Sequence, residues 1–89
     1  MREIRWESWS EEHIAGHGVS PGDVEEVVHE RPRLVGTGRD GTTLVWGRTA
    51  AGRHLLVVLA PDPTGRTHFV VTARDMTSRE KATFKARAR

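Results

Sequence analysis

The sequence predicts a small α+β domain, with an antiparallel sheet of four to five strands, two helices before the sheet, one helix after it, and the helices covering one face. Two observations predict this class. Between residues 33 and 74, short apolar segments alternate with turn-forming residues, which is typical of strands joined by hairpins. On both sides of that region, a hydroxyl residue followed three positions later by an acid marks a helix start. The 89 residues are enough for one domain, 1–89, with one core.

Three helix starts share this signature. The pairs are Ser8 with Glu11, Ser20 with Asp23 and Thr77 with Glu80, and they predict helices at about 9–17, 21–30 and 78–88. Gly18 suits the left-handed position that follows the first helix. Pro21 suits the first turn of the second helix, and Pro32 ends it.

Four strands are expected in the middle of the chain. Their apolar centres are 34–35, 43–46, 55–59 and 69–72, and turn-forming residues lie between them at 38–41, 50–52 and 61–65. Because short turns place consecutive strands side by side in opposite directions, the four strands form an antiparallel meander. The segment from Glu3 to Trp6 could add an edge strand.

The composition excludes several classes of protein. Hydrophobic residues make up 36% and charged residues 29% of the chain, which is the balance of a globular protein. The longest apolar run, Leu55 to Ala60, is far shorter than the roughly 20 residues that cross a bilayer. The N-terminus has no apolar segment typical of a secretory signal, so a cytoplasmic location is expected. Cysteine is absent, which excludes disulfides, thiol nucleophiles and cysteine-based zinc sites.

Charge is segregated along the chain. Residues 1–30 hold eight acids and two arginines, and the remainder holds twelve bases and four acids. Twelve of the fourteen bases are arginine, which binds phosphate through paired hydrogen bonds. The pattern favours a polyanionic partner for the C-terminal two-thirds, although a GC-rich coding sequence and ordinary solvated faces would give similar counts.

Arg74 is the first candidate for phosphate binding. It ends the predicted fourth strand just before the third helix, where free backbone N–H groups attract anions. The alternative is a structural arginine paired with Asp75 or with an acid of the first helix. The third helix itself is cationic and is a candidate for binding RNA or an anionic protein; its bases are Arg79, Lys81, Lys85, Arg87 and, at the end of the chain, Arg89.

The histidines give weaker signals. His13 and His17 have the four-residue spacing of a zinc-binding pair, but Ile14 stands where the metalloprotease motif requires glutamate. His17 suits a surface or capping role, and His13 could act as an acid or base near neutral pH. The other three histidines, His29, His54 and His68, have no recognisable context and are assigned no role.

The tryptophans have two interpretations. Trp46 lies in an apolar strand and is expected in the core. Trp6, near the N-terminus, could stack on an unpaired base or pack beneath the sheet, and the second is the commoner arrangement.

Several segments together resemble a known family. They are Ile4-Arg5-Trp6, the turn His17-Gly18-Val19-Ser20, the pairs Gly47-Arg48 and Gly52-Arg53, and the segment Val71-Thr72-Ala73-Arg74-Asp75-Met76-Thr77-Ser78-Arg79-Glu80. In this order they resemble the BrnT toxins of bacterial type II toxin–antitoxin systems. The resemblance covers about residues 4–84, and its specific parts are the HGVS turn and the TARDMTSRE segment.

The resemblance implies a RelE-like fold and cleavage of RNA without a metal or cofactor, which inhibits translation. It also implies a ribbon-helix-helix antitoxin. The complex of the two represses its own operon, and the toxin could be a dimer within it.

The resemblance also implies site residues. The implied catalytic residues are Arg74, Glu80 and His17; the implied RNA-binding residues are Trp6, Arg5, Arg48, Arg53, Arg79 and Lys81. Gly16 stands where the family usually has a basic residue, and Arg5 is the one candidate for its N-terminal lysine. The alternatives are a noncatalytic RNA- or DNA-binding module and an antitoxin-binding protein without nuclease activity.

Overall fold

The chain folds into an α+β domain with three helices and one five-stranded sheet, which confirms the predicted class. The computed structural model describes residues 4–65 and 67–89. The elements are β1 (Ile4–Arg5), α1 (Ser8–Ala15), α2 (Pro21–His29), β2 (Arg33–Thr37), β3 (Thr43–Arg48), β4 (His54–Pro61), β5 (His68–Asp75) and α3 (Ser78–Arg87). Within the described residues, no helix is both long enough and apolar enough to cross a membrane.

The sheet is mixed. Its strand order is β1-β5-β4-β3-β2, and the four strands from β2 to β5 form the predicted antiparallel meander. The N-terminal segment joins as an edge strand, but it runs parallel to β5, with Ile4 opposite His68. Glu3 of the predicted edge strand lies outside the described residues.

Two of the three predicted helix caps are confirmed. The hydroxyl of Ser20 accepts from the backbone N–H of Asp23 at 3.2 Å, and the Asp23 carboxylate accepts from the Ser20 N–H at 3.1 Å. The same reciprocal pair joins Thr77 and Glu80, at 3.1 and 2.8 Å. Each pair satisfies N–H groups that a helix start leaves without a partner.

The predicted cap at Ser8 is wrong. The first helix begins at Ser8 and has Glu7 as its N-cap. The buried hydroxyl of Ser10 accepts from the Glu7 N–H at 3.1 Å and donates to the Glu7 carbonyl at 2.8 Å. Because Ser10 caps this helix from its third position, Ser8 is left exposed.

The turn after α1 ends the helix as the sequence predicts. Gly18 has a φ of 70°, which favours glycine. The Gly18 N–H donates to the carbonyl of Ala15 at 2.9 Å, and the Val19 N–H donates to that of Ile14 at 3.0 Å. These bonds form a Schellman turn, which directs the chain from α1 into α2.

The main core lies between the sheet and the two N-terminal helices. Buried residues of α1 and α2 pack against one face of β3, β4 and β5; they include Ile14, Val24, Val27, Val28, Val45, Val57, Leu59, Val70 and Ala73. Gly47 allows the closest approach, because a Cβ there would lie 3.0 Å from the Cγ1 of Val27 and 3.2 Å from its carbonyl oxygen. The valine stripe of α2 therefore sits directly on β3.

The third helix lies on the opposite face of the sheet, so the prediction that the helices cover one face is wrong. Its Glu80 accepts from the indole of Trp46, and its Phe84 packs against the ring of His54. Trp46 and His54 alternate along their strands with residues of the main core, so their side chains lie on the other face of the sheet. The physical reason is that β4 is apolar on both faces, with Leu55 and Leu56 both buried, and each face needs a cover.

Candidate functional site

Three side chains form a row on the sheet face beneath α3. Leu56 of β4 lies opposite Trp46 of β3 on one side and opposite Arg74 of β5 on the other. Glu80, in the first turn of α3, reaches both ends of this row. Trp46 is only half-buried and does not belong to the core cluster, so the prediction that it is a core residue is wrong.

The Glu80 carboxylate accepts four hydrogen bonds. Arg74 donates two, from Nη1 at 2.7 Å and from Nη2 at 3.1 Å; Trp46 Nε1 donates at 3.2 Å and the Thr77 N–H at 2.8 Å. The guanidinium of Arg74, opposed by burial and helped by the other donors, lowers the pKa of Glu80 to about 2. The carboxylate therefore stays charged at neutral pH, and it joins α3 to both β3 and β5.

Arg74 retains the capacity to bind an anion. Its Nη1 also donates to the Asp75 carbonyl at 2.9 Å, so three of the five N–H groups of a guanidinium are engaged. Within the described residues the other two have no partner, and 41% of the side chain is exposed. The acid that pairs with Arg74 is thus Glu80, while Asp75 contributes only its backbone oxygen.

A groove runs beside Trp46 and one side of α3. We call it the Trp46 groove; it has a volume of about 370 Å³ and is lined by Leu34, Val35, Gly36, Trp46, Arg79, Glu80, Thr83 and Arg87. Its floor is apolar, and Arg79 and Arg87 add positive charge at its rim. An aromatic floor with a cationic rim can accommodate a base and its phosphate.

A second groove lies on the other side of α3. We call it the His54 groove; it has a volume of about 240 Å³ and is lined by Pro32, Arg48, His54, Phe84, Lys85 and Ala88. His54 is half-buried, with its ring 5.5 Å from that of Phe84 and nearly perpendicular to it. Burial first, then the charges of Lys85, Lys81 and Arg48, lower the pKa of His54. Both effects favour the neutral form of the imidazole.

Charge is divided between the two sides of the sheet. The acidic face, on α1 and α2, carries Glu11, Glu12, Asp23, Glu25 and Glu26, and these helices contain no lysine or arginine. The basic face, on and beneath α3, carries Arg48, Arg74, Arg79, Lys81, Lys85 and Arg87. Among the described residues of this face the one acid is Glu80, which is paired with Arg74. The charge segregation in the sequence thus becomes a separation in space.

Arg53 lies outside this site and makes structural contacts. Its Nε and Nη2 bind the two carboxylate oxygens of Asp75 at 2.8 and 3.1 Å. Its Nη1 donates to the Gly18 carbonyl at 2.5 Å and its Nη2 to that of His17 at 3.1 Å. This pairing raises the pKa of Arg53 and lowers that of Asp75. Arg53 therefore joins the turn between α1 and α2 to the end of β5.

His17 lies beside Arg53, apart from Arg74. Its ring is exposed and 5.3 Å from that of His13. None of the described contacts joins His17 to Arg74 or Glu80. The three residues predicted as catalytic are therefore divided, with Arg74 and Glu80 in direct contact and His17 elsewhere.

Trp6 and Arg5 lie at the β1 edge of the sheet. Trp6 packs against the core cluster, and its indole donates to Glu25 at 3.4 Å. Arg5 is paired with Glu7 at 3.1 Å and with Asp62 at 3.4 Å. The structure thus favours the packing interpretation for Trp6, and both side chains are separate from the basic face.

The sequence did not identify two side chains of the basic face as functional. The apolar pattern of its strand predicts a core position for Trp46, and nothing around His54 in the sequence predicts a role for it. The available signal was the alternation of side-chain direction along β3 and β4, which places four side chains on one face of the sheet: Trp46, Arg48, His54 and Leu56. Its meaning depends on knowing that a helix covers this face.

No model of a known protein family matches this chain, and no curated protein matches it. The resemblance to the BrnT toxins therefore stays a prediction from the quoted segments. Two of those segments are joined in the structure, because Arg53 binds both the HGVS turn and Asp75 of the TARDMTSRE segment.

Proposed function

We propose that this protein is an endoribonuclease toxin of a type II toxin–antitoxin system, which cleaves RNA without a metal and thereby inhibits translation in the cytoplasm. The observation that carries the proposal is the basic face: six cations on and beneath α3, opposite an acidic face that repels RNA. Phosphate contacts supply most of the affinity of such a surface for a nucleic acid.

The proposed reaction uses the neighbouring ribose hydroxyl as the nucleophile. The 2′ oxygen attacks the adjacent phosphorus, and the bond to the 5′ oxygen breaks, which leaves a 2′,3′-cyclic phosphate and a 5′ hydroxyl. Negative charge builds on the phosphorane oxygens. Arg74, with two N–H groups still available, would stabilise that charge.

Glu80 is better suited to holding Arg74 than to accepting a proton. A general base works best when its pKa is near the working pH, whereas the pKa of Glu80 is about 2. Its two bonds to Arg74 and its bond to Trp46 fix the guanidinium beside the Trp46 groove. Arg79 and Lys81, both exposed in the first turns of α3, would hold flanking phosphates.

A noncatalytic RNA-binding module is the second candidate. The observation that favours it is the same ion pair, because Glu80 offsets much of the charge that Arg74 would offer to a phosphorane. The basic face would then bind RNA without cleaving it. Both candidates predict a steep dependence of binding on salt, so only the detection of products separates them.

The toxin proposal includes an antitoxin with a ribbon-helix-helix domain. Such a partner would neutralise the toxin by covering the basic face. Its binding should therefore compete with RNA, which a competition assay with labelled RNA and the purified partner would measure.

The test is incubation of the purified protein with end-labelled RNA in EDTA. We expect products ending in a cyclic phosphate, with Arg74→Ala slowing their formation by about 100-fold or more. Arg39→Ala is the matched control, since Arg39 is exposed in the turn between β2 and β3, away from α3. The control should cleave as the wild type does.

A second arm adds the protein to a translation reaction and maps breaks in the messenger RNA, because cleavage could require the ribosome. Absence of cleavage in both arms, together with salt-sensitive binding of RNA, would establish the binding module instead.

A further inference from the structure

The His54 groove has the composition of a phosphate site with a proton acceptor. Arg48 and Lys85 line it, and no carboxylate does. His54 lies between these two cations, since it pairs with Arg48 across β3 and β4 and feels the charge of Lys85 from α3. The groove thus combines a titratable ring with positive charge from both elements beside it.

We propose that His54 is the proton acceptor of RNA cleavage and that Arg48 and Lys85 hold, at the His54 groove, a phosphate next to the one that Arg74 contacts. This inference rests on the proposed function and adds to it the general base that Glu80 does not supply. The other candidate histidines in the sequence, His13 and His17, lie together at α1 and the turn after it, where the His17 carbonyl accepts from Arg53.

The position of His54 relative to Arg74 fits this role. Arg74 lies opposite Leu56, and the Met76 N–H donates to the His54 carbonyl at 3.1 Å, so His54 and Arg74 are diagonal neighbours on one sheet face. Such neighbours are about 7–8 Å apart. One RNA strand crossing this face could therefore contact both side chains.

The ring has one nitrogen available as an acceptor. The backbone of Gly52 raises the pKa of His54, against the larger effects that lower it. One nitrogen of a neutral imidazole donates and the other accepts, so a bond from the first to a carbonyl leaves the second free to take a proton. The edge contact with Phe84 fixes the plane of the ring.

The proton balance of the step is complete. His54 takes the proton of the ribose 2′ hydroxyl as the bond from the 2′ oxygen to phosphorus forms. The bond from phosphorus to the 5′ oxygen breaks, and that oxygen takes a proton from water. His54 then returns its proton to the solvent.

The electrostatic surroundings set the pH dependence. Arg48 faces His54 from β3, and Lys81 and Lys85 face it from α3. The charged groups of β5 near this end of the sheet are Arg74, paired with Glu80, and Asp75, paired with Arg53. The cations of β3 and α3 oppose protonation of the ring. The cleavage rate should therefore be constant above neutral pH and fall only in acid, as His54 becomes protonated.

The first test compares His54→Gln with the wild type for cleavage and for RNA affinity. We expect the rate to fall by about 100-fold or more while the affinity changes less than about threefold. His13→Gln, an exposed histidine on α1, is the control. Equal rates for His54→Gln and wild type would overturn the inference and leave the proposed nuclease intact, whereas a wild type that cleaves no RNA would overturn both.

The second test does not depend on the folding of a His54 variant. Lys85→Ala removes a charge that opposes protonation, so the pKa of His54 rises and the acid limb of the rate profile moves to higher pH. Arg39→Ala should leave the limb in place. NMR titration of His54 in both variants gives the same pKa values directly, and an acid limb that does not follow them would overturn the inference.

Discussion

Arg53 and Asp75, 22 residues apart in the chain, form a bidentate ion pair. Arg53 Nε donates to Asp75 Oδ1 at 2.8 Å, and Arg53 Nη2 donates to Asp75 Oδ2 at 3.1 Å. The same guanidinium binds two backbone carbonyls of the turn after α1. A planar, forked side chain is needed for this arrangement, because it donates in three directions at once. The pair therefore holds α1 and α2 in register with the end of β5.

Replacing Arg53 should weaken the fold. We expect Arg53→Lys to lower the free energy of unfolding by about 1–2 kcal/mol, since lysine cannot make the paired bonds, and the pair is partly exposed, which limits the loss. Urea titration measures the change, with Arg39→Lys as the control. A double-mutant cycle with Asp75→Asn should show coupling between the two sites; additive effects would contradict the structural role.

Glu80→Gln should remove part of the stability in a pH-dependent way. The pKa of Glu80 is lower in the folded chain, at about 2, than in an unfolded one, so its contribution is present above an ordinary glutamate pKa and is lost as the pH falls toward 2. Because Arg74 is partly exposed, we expect a loss of only about 1–2 kcal/mol at pH 7, with little difference from wild type at pH 2.

The control for this measurement is Glu12→Gln, which changes an exposed glutamate of α1 outside the α3 contacts. Its unfolding curves should follow the wild type at every pH. A Glu80→Gln protein as stable as wild type from pH 7 to pH 2 would show that the four donors do not stabilise the carboxylate.

Each cation removed from α3 should reduce by about one the number of counterions that RNA releases when the protein binds. We expect Lys81→Ala or Arg87→Ala to reduce the slope of log affinity against log salt concentration by about 1, and the pair of changes to reduce it by about 2. Filter binding at several salt concentrations measures the slope. Unchanged slopes in both variants would place the RNA on another surface.

Gly47→Ala should push α2 away from β3 and thereby lower the stability of the fold. The added methyl group would lie 3.0 Å from a side-chain carbon of Val27 and 3.2 Å from its backbone oxygen, and a backbone atom cannot turn aside. We expect a loss of about 1–3 kcal/mol in thermal unfolding. Gly22→Ala, where the nearest atom is 3.7 Å away, is the control and should not lose stability.

Local signals predicted most of the fold. Ser20 and Thr77 cap helices because their hydroxyls meet an acid three residues on, and Gly18 ends a helix because it tolerates a positive φ. These features depend only on neighbours in the sequence. Ser8 failed as a cap because Ser10, buried against the rest of the domain, provides a competing hydroxyl.

The candidate site needed information from distant residues. Arg74 and Glu80 are six residues apart and could be paired from the strand-to-helix turn, but the bond from Trp46 spans 34 residues. It forms only because α3 crosses to the second face of the sheet. Tertiary packing decides that crossing, so the role of Trp46 and the surroundings of His54 could not be read from local pattern.

The opposite charges of the two sides give the molecule an electric dipole perpendicular to its sheet. In the field of an RNA strand the protein would turn its third helix toward the phosphates before any contact forms. Association would then be fast and would slow as salt screens the field, while dissociation would change less. Because the cations of the basic face lie on one side of the sheet, each molecule would bind one strand through that side.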